Sequence, residues 1–290
     1  MPTNYINFNG NVVPEEQEIF SIENRGFRYG DGLFETMLYK DGDIRFLNFH
    51  VARLQQGMEL IHLDDANLFD EFFIRSRSEE LIRKNNMLGQ QVRIRLIVFR
   101  MGGGLYSPTT NKPGFVLQVQ RMEPNLRDKK VGLIVGLYSE FKKPYSDLSK
   151  LKSLNSQIYV LAGIYKKKMA FDDVLILNQE GYLCESLTSN IFVYYEKILY
   201  TPALSEGCIE GVMRRVVMDM ARAEGIEVVE AQISPEIMKR ADEIFCTNAV
   251  QGVQWVMGYK QKRYFNKISR ILQDKLLTWN YDSNEDQSSV

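Results

Sequence analysis

Five stretches of this 290-residue chain bring together side chains that could do chemistry. Lys152 stands in Lys150-Leu151-Lys152-Ser153-Leu154-Asn155, among leucines. An amine in apolar surroundings loses proton affinity and becomes a nucleophile and a base, whereas the same lysine facing water is a solvated charge; the residue types alone leave both open. Glu185, in Leu183-Cys184-Glu185-Ser186, follows the turn signal Glu180-Gly181. It is either a buried carboxylate in need of a cationic partner or a surface acid. Leu204 to Arg214 reads as a two-glycine loop entering a helix, whose unpaired first amides would suit a phosphate. Gly102 to Gly104 is a second glycine run, an anion cradle or a surface loop. His50 and Arg53 are three residues apart and share one face of a helix, functional or solvated.

Composition excludes several other chemistries. Two histidines and three scattered cysteines form no CxxC pair and no His-Cys cluster, so no zinc site is expected. No Gly-x-Ser-x-Gly elbow, Walker motif or Gly-x-Gly-x-x-Gly occurs. Proton transfers then fall to a lysine, a carboxylate or a cofactor. The balance of 36 basic against 37 acidic residues gives no reason to expect a nucleic-acid or anionic-membrane partner. No apolar run approaches a membrane span, and no basic region followed by an apolar stretch opens the chain. The expectation is a cytoplasmic protein acting on a small molecule.

The elements that must position these residues follow from periodicity. Tyr5–Val13 reads as a strand pair around Asn9-Gly10, and Gly32–Tyr39 with Ile44–Leu47 as a second pair around Asp41-Gly42. Val51, Leu54, Met58 and Ile61 make a helical stripe, and Leu68, Phe72 and Phe73 through Ile82 a second. Strands are expected at 91–99 and 115–121, and in the second half at 130–138, 173–178, 190–194, 198–200, 227–230 and 243–247. Helices are expected at 153–168 and 211–224, with a short one from Ser234. Segregated runs of this kind predict an α+β fold of two domains. The boundaries are an N-terminal domain over 1–122, a linker over 123–128, a C-terminal domain over 129–279 and a polar tail over 280–290.

In order and spacing, these stretches resemble the class IV aminotransferase family, the fold type IV pyridoxal-phosphate enzymes. The resemblance rests on Arg25-Gly26-Phe27-Arg28-Tyr29-Gly30-Asp31-Gly32-Leu33-Phe34-Glu35, His50-Val51-Ala52-Arg53-Leu54, Leu151 to Asn155, Glu185 to Phe192 and Gly207 to Arg214. It implies a two-domain α+β enzyme with pyridoxal 5'-phosphate between the domains. It also implies a homodimer whose partner completes the pocket. Lys152 matches the lysine that binds the cofactor covalently, and Glu185 the acid facing the pyridine nitrogen. Arg53 matches the arginine that grips the phosphate, with Val212 and Met213 giving backbone amides.

The late turn departs from the common pattern of that family. Asn248-Ala249 stands where many members carry a hydroxyl residue, so both positions are expected at the phosphate, with Asn248 supplying the missing contact. This turn, and Arg100-Met101-Gly102-Gly103-Gly104-Leu105-Tyr106-Ser107-Pro108, look closer to the members that cleave aminodeoxychorismate. The favoured activity at this level is therefore that elimination, giving 4-aminobenzoate and pyruvate. Arg100 would hold a substrate carboxylate, with Tyr29, Phe34 and Tyr106 as further substrate contacts. The alternatives are a transaminase of branched-chain or D-amino acids and a cofactor-binding protein without turnover.

Overall fold

The computed structural model describes residues 4–122 and 131–279. Their contacts divide the chain into an N-terminal unit, which includes 4–122 and 151–157, and a C-terminal unit, which includes 131–150 and 158–279. The segment 151–157, expected in the C-terminal domain, thus groups with the N-terminal one. The expected linker and tail fall outside the described residues.

In the N-terminal unit, β1 (Tyr5–Phe8), β2 (Asn11–Pro14), β3 (Gly32–Lys40), β4 (Asp43–Ile44), β5 (Val92–Arg100) and β6 (Pro113–Arg121) form an antiparallel sheet ordered β2-β1-β6-β5-β3-β4. Asp41 and Gly42 both take positive φ, as a two-residue hairpin turn requires. The expected strand to Leu47 stops at Ile44: Phe46 turns left-handed and α2 (Leu47–Leu60) starts at once. Helix α1 (Arg25–Tyr29) precedes β3, and α3 (Glu71–Lys84) is capped by Asp70, whose side chain accepts from the Phe73 amide at 2.7 Å. Leu54 and Met58 of α2 and Ile74, Leu81 and Ile82 of α3 pack on alternate residues of β3 and β5. Leu68 and Phe72, read as part of the second stripe, face outward instead.

In the C-terminal unit the chain runs through β7 (Leu133–Lys143), α4 (Gln157–Lys168), β8 (Asp173–Asn178), β9 (Leu183–Ser186), β10 (Asn190–Tyr195), β11 (Ile198–Pro202), α5 (Val212–Ala223), β12 (Glu227–Ala231), β13 (Glu243–Asn248), β14 (Gly252–Tyr259), β15 (Lys262–Arg263) and α6 (Lys267–Leu276). The sheet order is β12-β11-β10-β13-β14-β7-β8-β9, with β15 on β14, and the pairs β11–β12, β14–β7 and β7–β8 are parallel. Strands β8 and β9 are buried along their whole length, the polar Asp173, Asn178, Glu185 and Ser186 included. The α+β class holds for both units.

The helix expected from Ser153 begins only at Gln157. Residues 152–154 instead run extended beside β3: the Phe34 amide donates to the Lys152 carbonyl at 2.9 Å, and the Leu154 amide to the Gly32 carbonyl at 3.0 Å. This long-range pairing is what places Lys152.

Candidate active site

The N-terminal unit gathers three of the expected residues around one cavity. Leu33, Phe34, Glu35, Arg53, Leu54, Gly57, Leu151 and Lys152 line it. Alternation along β3 sends Glu35 toward α2, and α2 presents His50 and Arg53 to it from one face. Arg53 Nε donates to Glu35 Oε1 at 2.7 Å and Nη2 to Oε2 at 2.5 Å, a bidentate fork. His50 Nδ1 lies 2.6 Å from Oε2. Burial pushes the Glu35 carboxyl up, but Arg53 and then His50 outweigh it and hold its pKa at about 2. Burial, joined by the nearby Arg53 and Lys152 charges, pulls the His50 imidazole below its ordinary value against the opposing pull of Glu35. A carboxylate that stays ionised can only accept, so Nδ1 carries the proton and donates; Nε2 is buried without a hydrogen-bond partner. His50 and Arg53 are therefore not a solvated helix face.

Lys152 Nζ stands 4.4 Å from the Phe34 ring centre, and the Arg95 guanidinium 4.2 Å from the same ring. Arg95 is half-buried on β5, opposite Thr36 of β3, and burial followed by the neighbouring Arg93 lowers its pKa from the ordinary value. Two cations thus meet one aromatic ring that lines the cavity.

The C-terminal unit builds a second cluster on Glu185. Its register on β9 against Ile176 of β8 buries the carboxylate to 3% exposure. Lys143 Nζ donates to Oε1 at 2.5 Å, the Tyr159 hydroxyl to Oε1 at 2.6 Å and the Ile209 amide to Oε2 at 2.9 Å. Asn190 Nδ2 holds the Ile209 carbonyl at 2.8 Å. The 207–211 turn is thereby fixed at both faces of one peptide residue. Helix α5 then starts at Gly211 with no side chain capping it, and Val212 and Met213 bury their side chains. A Cβ on Gly211 would stand 1.8 Å from Asn190 Oδ1, so only glycine fits here. Taken by itself, the N-terminal unit offers an amine and a guanidinium on one cavity; taken by itself, the C-terminal unit offers an uncapped helix start on a pinned turn, which suits a phosphate, and a buried carboxylate with three donors.

The Asn248 side chain is bonded within the late turn and to Ser189. Asn248 Oδ1 accepts from the amides of Val250 at 3.1 Å and Gln251 at 2.8 Å, and Nδ2 donates to Ser189 Oγ at 2.9 Å. Ala249 follows in the same turn.

Arg100 requires correction. It is 6% exposed, and Nε donates to Asp31 Oδ2 at 3.0 Å, Nη1 to His62 O and Asn111 Oδ1, and Nη2 to Ile61 O. A guanidinium whose three nitrogens are already bonded has no fork to offer a substrate. Arg25 shares Asp31 and donates to the carbonyl of Leu105 at 2.6 Å, tying down the 101–108 loop. Tyr29 and Tyr106 pack ring to ring at 5.7 Å, Tyr106 being 89% exposed. None of Tyr29, Arg100 and Tyr106 lines the Lys152 cavity.

Sequence reasoning assigned no role to Glu35, Arg95, Lys143 or Tyr159. Glu35 had a readable signal, an acid on the apolar face of the alternating run Leu33-Glu35-Met37-Tyr39. Lys143, in Phe141-Lys142-Lys143-Pro144, had none.

The sequence profile of the family described as amino-transferase class IV matches residues 32–258. A Methanocaldococcus jannaschii protein with a provisional branched-chain-amino-acid aminotransferase name is 31% identical over 277 residues, covering 93% of this chain and 94% of its own. The aminodeoxychorismate lyase of Bacillus subtilis strain 168 is 26% identical, over 83% of this chain and 82% of its own. In fold, the chain matches the crystal structure of a Brucella abortus aminotransferase bound to pyridoxal phosphate with a TM-score of 0.83 at 19% identity, over 96% and 99% of the two chains. The chain belongs to the class IV aminotransferase family, whose enzymes depend on pyridoxal phosphate.

Proposed function

We propose that this enzyme is a transaminase that moves the amino group of branched-chain amino acids onto a 2-oxo acid. The end-to-end likeness to the Methanocaldococcus jannaschii protein carries this reading. The apolar wall of the Lys152 cavity, with Leu33, Phe34, Leu54 and Leu151, agrees with it. The elimination favoured by the sequence loses its main support with Arg100, which is bonded within its own unit.

When bound, pyridoxal phosphate supplies an aldehyde that captures the substrate amine and a ring that accepts electrons from its α-carbon. Lys152 would hold the cofactor, and its Nζ would be the group that moves the proton at the substrate α-carbon. Arg53, braced by Glu35, would grip the phosphate; the backbone amides of Val212 and Met213 would suit the same group, and Asn248 and Ala249 would shape the late turn for it. Glu185 would accept from the ring nitrogen and favour its protonated form. Arg95, which shares the Phe34 ring with Lys152, takes the substrate carboxylate in place of Arg100. The enzyme works as a homodimer in the cytoplasm; light scattering on the purified protein checks the first statement. Among the described residues no helix is long and apolar enough to cross a membrane.

The test is a steady-state screen. L-leucine, L-isoleucine and L-valine with 2-oxoglutarate should yield their 2-oxo acids and glutamate. Pyruvate and 4-aminobenzoate from aminodeoxychorismate, without 2-oxo acid from the branched-chain substrates, assigns the enzyme to the lyases instead.

A further inference from the structure

Lys143 is an ammonium that the reaction above does not use. It closes β7, is 6% exposed, and donates to Glu185 Oε1 at 2.5 Å and to the Ser149 carbonyl at 3.3 Å. Burying a cation is costly unless it is paired and hydrogen-bonded, so its place against this one carboxylate calls for a function. Burial pulls the Lys143 pKa down, and the facing Glu185 raises it above the ordinary value, so the ammonium stays charged.

The other groups around Glu185 are neutral. Tyr159, from α4, donates to the same oxygen, and burial raises its pKa. Cys184 of β9 and Cys208 of the 207–211 turn are buried thiols pushed up in the same way, with Glu206 and Arg214 acting on them from the adjoining turn and helix. Among the described residues, Lys143 is therefore the cation that contacts the carboxylate.

We propose that Lys143 is a positioning residue for Glu185, holding the carboxylate as a fixed anion so that the proton it shares with a ring nitrogen stays on the nitrogen. This rests on the reading of Glu185 as the acid that faces that nitrogen. A cation at hydrogen-bond distance favours the ionised carboxylate and lowers its basicity. Tyr159 orients the same oxygen without adding charge. Removing the lysine charge should thus move the proton balance, while removing the tyrosine hydroxyl should not.

The test compares the cofactor-loaded full chain with Lys143→Met, Lys143→Arg, Tyr159→Phe and Glu185→Gln. The visible absorption of bound cofactor is titrated against pH, and kcat and KM are measured separately. Lys143→Met should displace the spectral titration by about one pH unit and lower kcat about tenfold with little change in KM; Lys143→Arg should restore both. A Lys143→Met protein with the parent's titration and kcat overturns the proposal. If Lys143→Met does not fold, the other two variants decide. A parental titration in Lys143→Arg beside an unmoved one in Tyr159→Phe supports the proposal, and a displacement in Tyr159→Phe overturns it. Glu185→Gln separates the two readings: a titration like the parent's removes Glu185 from the ring nitrogen and takes the proposal with it, whereas a displaced one leaves any failure to Lys143 alone.

Discussion

Glu35 and Arg53 are joined by two hydrogen bonds, Nε to Oε1 at 2.7 Å and Nη2 to Oε2 at 2.5 Å, with the carboxylate 1% exposed. Arg53 is thus aimed from behind by an acid that belongs to the adjoining strand. Truncating one member of a buried pair strands the other, at a cost of about 3–5 kcal/mol. Arg53→Ala should therefore lower stability by that order in urea unfolding of the cofactor-free protein, as well as weakening cofactor binding. A variant as stable as the parent would contradict the brace.

Acid should weaken the N-terminal unit through the same cluster. Glu35 has a folded pKa of about 2 against 4.5 when unpaired, and that of His50 lies below 6.5. In both cases the unfolded chain binds more protons, so stability falls as pH falls. The His50 contribution declines from about pH 6.5 downward. The Glu35 contribution, roughly 3 kcal/mol, is present above pH 4.5 and is lost between there and about pH 2. Melting temperatures across pH should show this, and His50→Gln should remove the upper part of the decline. An equal decline in that variant counts against a buried neutral imidazole.

Local patterns announced much of this architecture and long-range pairing withheld the rest. The stripe from Val51 to Met58 gave α2, and Asp41-Gly42 gave a hairpin. The stretch from Ser153 to Ser156 reads as helix from local pattern alone because the extended form of 152–154 comes from bonds to Gly32 and Phe34, more than a hundred residues earlier. Glu185 could be singled out in the sequence, yet its burial depends on β9 joining β8, a strand too short to recognise alone. Arg100 misled for a related reason: its type suggested a substrate carboxylate, while its acceptors are the Asp31 carboxylate, Asn111 and carbonyls of the turn after α2, an enclosure that no local pattern reveals.

Arg95→Gln should raise KM for the amino acid about 10- to 100-fold, the range for losing a hydrogen bond to a charged group, with cofactor affinity unchanged. An unaltered KM places the substrate carboxylate elsewhere.

Gly211→Ala should disturb the turn that Asn190 and Glu185 pin, since the added methyl meets Asn190 Oδ1. Overpacking of this kind costs about 1–3 kcal/mol. A calorimetric melt checks the stability, and phosphate protection of the cofactor-free protein checks the site. A variant matching the parent in both would show that the turn has room to give.

The half-reaction tests the central claim most directly. Cofactor-loaded enzyme mixed with L-leucine, without any acceptor, should lose its visible absorption, and 2-oxoglutarate should restore it. Lys152→Ala should do neither. A visible band that L-leucine leaves unchanged, in protein that releases pyruvate from aminodeoxychorismate, would contradict the account.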